Sequence, residues 1–346
     1  MTEPAASGLS LVVMGTGPFV VPTLEALLAT RHRVVAVVTR PDRVARGRRP
    51  PPNPTRDAAT KAGLPLLAPA DVNAAEVRAE LAALQPDLFV VCDYGQILSA
   101  ETLAIPPLGG INLHGSLLPR HRGAAPVQWA ILSGDATTGI SVIHMTPALD
   151  AGNVITTRAT PIGPRETAAD LEPRLAALGV PAVLEAIETL QQHLPQVASG
   201  QPVAAGVPQD AATATRAPRL SKQDGQADWT EPAAALDRRR RALEPWPRLT
   251  AFVRQSGGDL RRLVLEETEV LSLAADEPAA PGMIVAADAA GFVVACGGGS
   301  RLAVRRVVPE GRRSMTAAEF LRGSPLRVGL QLADPPGAGD TARPAR

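Results

Sequence analysis

The first forty residues limit the fold more than any other stretch. Leu9–Met14 (LSLVVM) is a short unbroken apolar run, the mark of a strand buried on both faces. It ends at Gly15-Thr16-Gly17, and a helical pattern follows over Pro18–Thr30, with Pro18 in a first turn that tolerates it. Val34–Thr39 is a second buried run. Strand, glycine turn, helix, strand is a right-handed crossover, and it commits the chain to a parallel sheet with helices on its faces. Nicotinamide-binding folds open in the same way, but their fingerprint needs a small residue three positions after Gly17, and Val20 stands there. The glycines are better read as a tight turn that packs the helix on the sheet.

Further strands are expected at Asp87–Cys92, Ile140–Met145 and Asn153–Ile162, and helices at Pro54–Ala62, Asn73–Leu84 and Glu166–Gln192. The last helix should be interrupted or restarted near Gly179-Val180-Pro181. Residues 1–195 then form an α/β domain, a Rossmann-like, doubly wound, mostly parallel sheet. Residues 196–218 are poor in large hydrophobes and rich in Ala, Gly, Pro and Thr, which suits a linker. Over 219–332 one amphipathic helix (about 231–242) precedes short apolar runs divided by turn residues, the pattern of a small OB-like β-barrel. Residues 333–346 (ADPPGAGDTARPAR) read as a disordered tail.

Hydrophobic residues make up 45% of the 346, and 35 basic side chains stand against 34 acidic, so overall charge points to no particular partner. Two cysteines, Cys92 and Cys296, cannot build a disulfide framework or a Cys-rich zinc site. No metal is expected, the start has no basic-apolar leader, and no window reaches membrane-spanning length. A monomer in the cytoplasm is the expected state.

The chemistry concentrates in Gly110–Asp150. Ile111 and Leu113 alternate with Asn112 and His114, so two polar side chains leave one face of a strand near its C-terminal end, where open α/β sheets bind ligands. An Asn amide suits a developing oxyanion, a His can give and take a proton, and an Asp beside it favours the imidazolium. No serine or cysteine pairs with the His in an obvious way, so this set fits attack by a substrate's own amine on an acyl group. On residue types alone a structural role stays open, since a strand His is often structural and Asp150 could cap a turn.

The motif Asn112-x-His114-x-Ser-Leu-Leu-Pro-x-x-Arg-Gly123, then Pro126, Gly134-Asp135 and Leu149-Asp150-x-Gly152, resembles the signature of the folate-dependent formyltransferases. Gly15-Thr16 through Leu24, Thr39–Arg43, Leu220-Ser221-Lys222, Asp228-Trp229, Pro245-Trp246-Pro247 and the stretch from Pro309 to Gly323 extend the likeness to residues 9–330. They point to members whose acceptor is methionyl initiator tRNA. The resemblance implies transfer of formyl from 10-formyltetrahydrofolate, as co-substrate, through a tetrahedral oxyanion intermediate. It puts Asn112, His114 and Asp150 at the catalytic positions and Ser116, Leu117, Leu118 and Pro119 on the folate loop, with Tyr94, Gly95 and Ile97 nearby. Contacts to tRNA fall to Arg43, Arg46, Arg48 and Arg49 in the Pro/Arg-rich loop, and to Arg305, Arg306, Arg312 and Arg313. The chain departs from the family's pattern at Asp93, usually apolar, and at Ser99, usually Pro. A sugar-amine or glycinamide-ribotide formyltransferase, or a non-catalytic RNA-binding protein on the same scaffold, are the alternatives.

Overall fold

The computed structural model describes residues 8–42, 52–199, 201, 203, 205–254, 258–272 and 279–334. The chain divides into two compact units: the first ends at Arg219, and the second comprises Ile131–Asp135, Gly163–Ala169 and everything from Leu220. No helix among the described residues is long and apolar enough to cross a membrane.

In the first unit the strands are β1 (Ser10–Met14), β2 (Arg33–Val38), β3 (Leu66–Leu67), β4 (Leu88–Val91), β5 (Gly110–His114), β6 (Arg122–Gly123), β7 (Thr137–His144), β8 (Val154–Pro161) and β9 (Arg216–Ala217). Seven of them make one sheet in the order β3-β2-β1-β4-β5-β7-β8. The sheet is parallel as far as β5, then antiparallel through β7 and β8. This is the Rossmann-like, mostly parallel sheet expected. Val12, Val13, Met14 and all four residues of β4 are buried, which is why these strands read as continuous apolar runs rather than alternating ones. Strand order reverses between β1 and β4, the place where such sheets open a crevice for ligands.

One local expectation is corrected. The helix Ala168–Gln191 is not interrupted near Gly179 but runs unbroken through Pro173 and Pro181. Gly179 serves packing there: a Cβ would come 2.6 Å from Leu113 Cδ2, so the glycine lets the helix lie close on β5. Residues 205–217 lie in the stretch read from composition as a linker. There Val207 bridges Val154, and β9 pairs with β6 in parallel register, Arg122 with Arg216 and Gly123 with Ala217. Backbone groups of this segment need partners once they leave water, and the first unit supplies them.

The second unit is an antiparallel sheet of β10 (Thr250–Arg254), β11 (Leu260–Leu271), β12 (Ile284–Asp288), β13 (Gly291–Ala295) and β14 (Arg301–Pro309), in the order β10-β11-β14-β13-β12. The two-residue strand β15 (Met315–Thr316) pairs with β14. Register shifts between Leu265 and Thr268 bend the long β11 and curl the sheet. Its concave face buries Leu263, Leu265, Phe292, Val294, Leu302 and Val304 together with Leu236 and Phe320 from two helices. Residues 330–333 join the two outer strands: Ile284 donates to Leu330 O, and Ala333 donates to Phe252 O. Ala333, assigned to the tail by its sequence, is therefore a sheet residue. The rest of that expected tail, 335–346, lies outside the described residues.

Candidate functional site

Asn112 and His114, two apart on β5, leave the same face of the strand. Asp150 ends the turn after β7 with φ +50°, a left-handed conformation uncommon for a residue with a Cβ, and is only 9% exposed. Its carboxylate collects the set. Oδ1 accepts from Asn112 Nδ2 at 3.3 Å, Oδ2 accepts from the Gly123 N–H at 2.9 Å, and Oδ2 lies 3.6 Å from His114 Nδ1. His114 is buried, and its Nε2 is 2.9 Å from the His121 carbonyl oxygen. A carbonyl only accepts, so Nε2 carries a proton and Nδ1 is the ring atom that faces Asp150. The three residues that the sequence singled out lie together, and His114 turns Nδ1 toward the carboxylate.

A cavity of about 620 Å³, within the range of small-molecule sites, opens over this group. Phe19 after β1, Asp93–Leu98 after β4, Gly115 after β5 and Met145–Leu149 after β7 line it with the three residues above. Ile97 and Leu149 are 63% and 59% exposed, apolar surface that a bound ligand can cover. Tyr94, Gly95 and Ile97 thus fall where a folate site was expected. Tyr94 is itself buried, which pushes its phenol up to about 12.

Ser116, Leu117, Leu118 and Pro119, expected on the folate loop, are not among the residues that line this cavity. The Ser116 hydroxyl donates to Arg120 O at 2.6 Å, and Ser141 Oγ bridges Ser116 O and the Leu118 N–H. The loop, with a cis peptide before Pro119, braces the turn that carries His121 and β6. Its polar groups meet Arg120, Ser141 and Thr215. Residues that the sequence did not single out do line the cavity, among them Gln128, Met145, Glu172 and Arg219.

Asp93 and Glu172 make an acidic wall. A Cβ at Gly17 would collide with the Asp93 carboxylate, so that turn is closed by a side chain of the protein itself. Desolvation raises both carboxyls; Arg219 partly opposes this at Asp93, and Asp93 adds to it at Glu172. Below the ordinary carboxylate range both folded and unfolded chains hold these protons. As pH rises, the unfolded chain sheds them first, so the pair lowers stability through the window above about pH 4. Asp93→Asn keeps a residue tolerant of the φ of +47° found there. It should raise Tm at pH 8, and the gain should fade as the pH falls below about 4. A gain that persists unchanged at acid pH would refute this account.

Among the arginines expected to meet tRNA, Arg43, Arg46, Arg48 and Arg49 lie outside the described residues. Arg305 is engaged by Glu269 at 2.7 Å and Ala290 O at 3.1 Å, and Arg306 lies 3.8 Å from Glu266. Arg312 and Arg313, past the end of β14, are exposed. The basic run Arg238–Arg241 is internally paired, Arg239 with Glu231 at 2.6 Å and Arg241 with Asp237 at 3.0 Å.

Residues 9–187 match the formyl transferase family and residues 219–325 the formyl transferase C-terminal domain. A protein of Rhodopirellula baltica named methionyl-tRNA formyltransferase is 43% identical over 342 residues, covering 95% of this chain and 98% of the relative. One of the same name from Methylococcus capsulatus is 42% identical, covering 92% and 98%. Among solved structures, HypX from Aquifex aeolicus in complex with tetrahydrofolic acid matches in fold, with TM-score 0.58 and 15% identity. The likeness covers 91% of this chain and about half, 47%, of that longer one. Family match, identity and coverage agree, and the chain belongs to the methionyl-tRNA formyltransferases of the formyl transferase family.

Proposed function

We propose that the protein transfers the formyl group of 10-formyltetrahydrofolate to the α-amine of methionyl initiator tRNA, and that Asn112, His114 and Asp150 carry the transfer. The observation behind this is the convergence of one amide donor, one imidazole nitrogen and one carboxylate on a cavity of ligand size. The donor supplies an acyl carbon, and the acceptor's amine is the nucleophile. Asn112 has a second N–H beyond the one given to Asp150, and it can meet the oxygen on which charge develops. His114, protonated on both nitrogens, offers Nδ1–H as a second, charged donor. Asp150 holds the imidazolium, takes the proton the amine sheds, and with His114 returns one to the departing amine of the donor. Ile97, Leu98 and Leu149 cover the donor's flat ring, and Tyr94 and Gly95 shape the wall beside it.

In this reading residues 1–195 perform the chemistry, 196–218 connect, and 219–332 take the tRNA as a small barrel. Arg43, Arg46, Arg48 and Arg49 meet the acceptor end, while Arg305, Arg306, Arg312 and Arg313 meet phosphates, which position rather than specify. The enzyme works as a monomer in the cytoplasm and needs no metal. Incubation with 10-formyltetrahydrofolate and charged initiator or elongator methionyl-tRNA tests this. Formyl transfer to the initiator, with little to the elongator, is the expected result. Transfer to neither would defeat the proposal.

A further inference from the structure

We infer that Gln209, gripped by Arg122, is a positioning residue for Asp150; this rests on the reading of Asp150 as part of the reacting set. Gln209 sits 59 positions after Asp150 in the segment that composition marks as linker. Its Nε2 donates to Asp150 O at 2.8 Å and to Gly152 O at 2.7 Å. An amide nitrogen has two N–H groups, and both are used. Its Oε1 accepts from Arg122 Nε at 3.1 Å and Nη2 at 2.7 Å. That fork decides the orientation of the amide. Turned over, it would set oxygen against two carbonyls and NH₂ against a guanidinium.

Arg122 has a second connection to the same place. The residue after it, Gly123, donates its N–H to Asp150 Oδ2. Asp150 is therefore held at both ends from β6, its main chain through Arg122 and Gln209 and its carboxylate through Gly123. The hold has something to oppose, because the left-handed backbone at Asp150 is not one the residue prefers alone. Pairing of β6 with β9 fixes the frame: a Cβ at Gly123 would run into Ala217 O, so the two strands close only around that glycine. Neither Gln209 nor Arg122 lines the cavity. Both act through Asp150.

The test is steady-state kinetics on the full chain with Gln209→Ala and Gln209→Glu, alone and combined with Asp150→Asn. Glutamate is close in shape and keeps the Arg122 grip but has no N–H for the two carbonyls. Both single variants should lose kcat by up to about 10²-fold, as small misplacements of a reacting group do, while KM for the folate donor changes little. In the Asp150→Asn background neither should cost anything further. Independent, multiplying losses would overturn the inference, as would a loss confined to KM or full kcat in Gln209→Glu. If Asp150→Asn itself keeps the wild-type rate, the reading of Asp150 fails. If Asp150→Asn is slow while Gln209→Ala and Gln209→Glu are fast, only the inference does.

Discussion

Replacing His114 with alanine should lower kcat on the order of 10²–10⁴-fold, the range for loss of a positioned acid–base group. Three things set this apart from damage to the fold. The donor cavity is lined largely by the loops after β4 and β7, so affinity for the folate donor should hold. The ring nitrogen engaged with His121 O is not the one facing Asp150, so the variant loses both a structural bond and the reactive Nδ1. The structural part, a buried carbonyl left without its donor, costs about 1–3 kcal/mol of stability and will be seen as a lower Tm. It cannot by itself remove two or more orders of magnitude in rate from the molecules that stay folded. Near wild-type turnover with donor still bound would end the mechanism.

Asn112→Ala should cost about 10²–10³-fold in kcat, the loss that follows removal of one oxyanion donor. Asn112 also donates to Asp150 Oδ1 at 3.3 Å, a long bond that contributes less than the one from Gly123. The main loss is therefore the second N–H, which matters only while charge sits on the attacked oxygen. Donor and acceptor KM should stay within a few-fold. A variant whose deficit lay wholly in KM would place Asn112 in binding and leave His114 as the lone donor.

The chain's fold was legible where one residue type repeats over a whole element. β1, β2 and β4 announce themselves as apolar runs, and the turn after Met14 shows that the sheet starts parallel. Asn112 and His114 were legible because they alternate with Ile111 and Leu113; Asp150 needed the family resemblance, since nothing near it in sequence points back to β5. Elsewhere direction was the missing information. The Ser116 hydroxyl turns to Arg120 O, a contact that its place in the motif does not announce. Gly179-Val180-Pro181 look like a break, but the glycine answers to Leu113 across the sheet. Gln209 lies in a stretch of low hydrophobicity and has no motif; its partners are 57, 59 and 87 positions away. Asp93 could be seen to depart from the family's pattern, but only the structure shows Glu172 and Arg219 lining the same cavity.

The pairing of β6 with β9 bears on the order in which the chain is made. Asn112, His114 and Asp150 all leave the ribosome before Gln209 and β9. His121 donates to the Thr215 hydroxyl 94 positions later, and Gly123 is matched to Ala217 by the same ladder. A nascent chain stopped short of residue 205 contains every strand of the seven-stranded sheet, but β6 has no partner until β9 is made. It has Asn112, His114 and Asp150 but neither Gln209 nor β9, which frame Asp150 in the finished chain. Contacts of such long sequence separation form late because loop closure comes first. The frame around Asp150 is therefore completed only once residues 209–217 have been made.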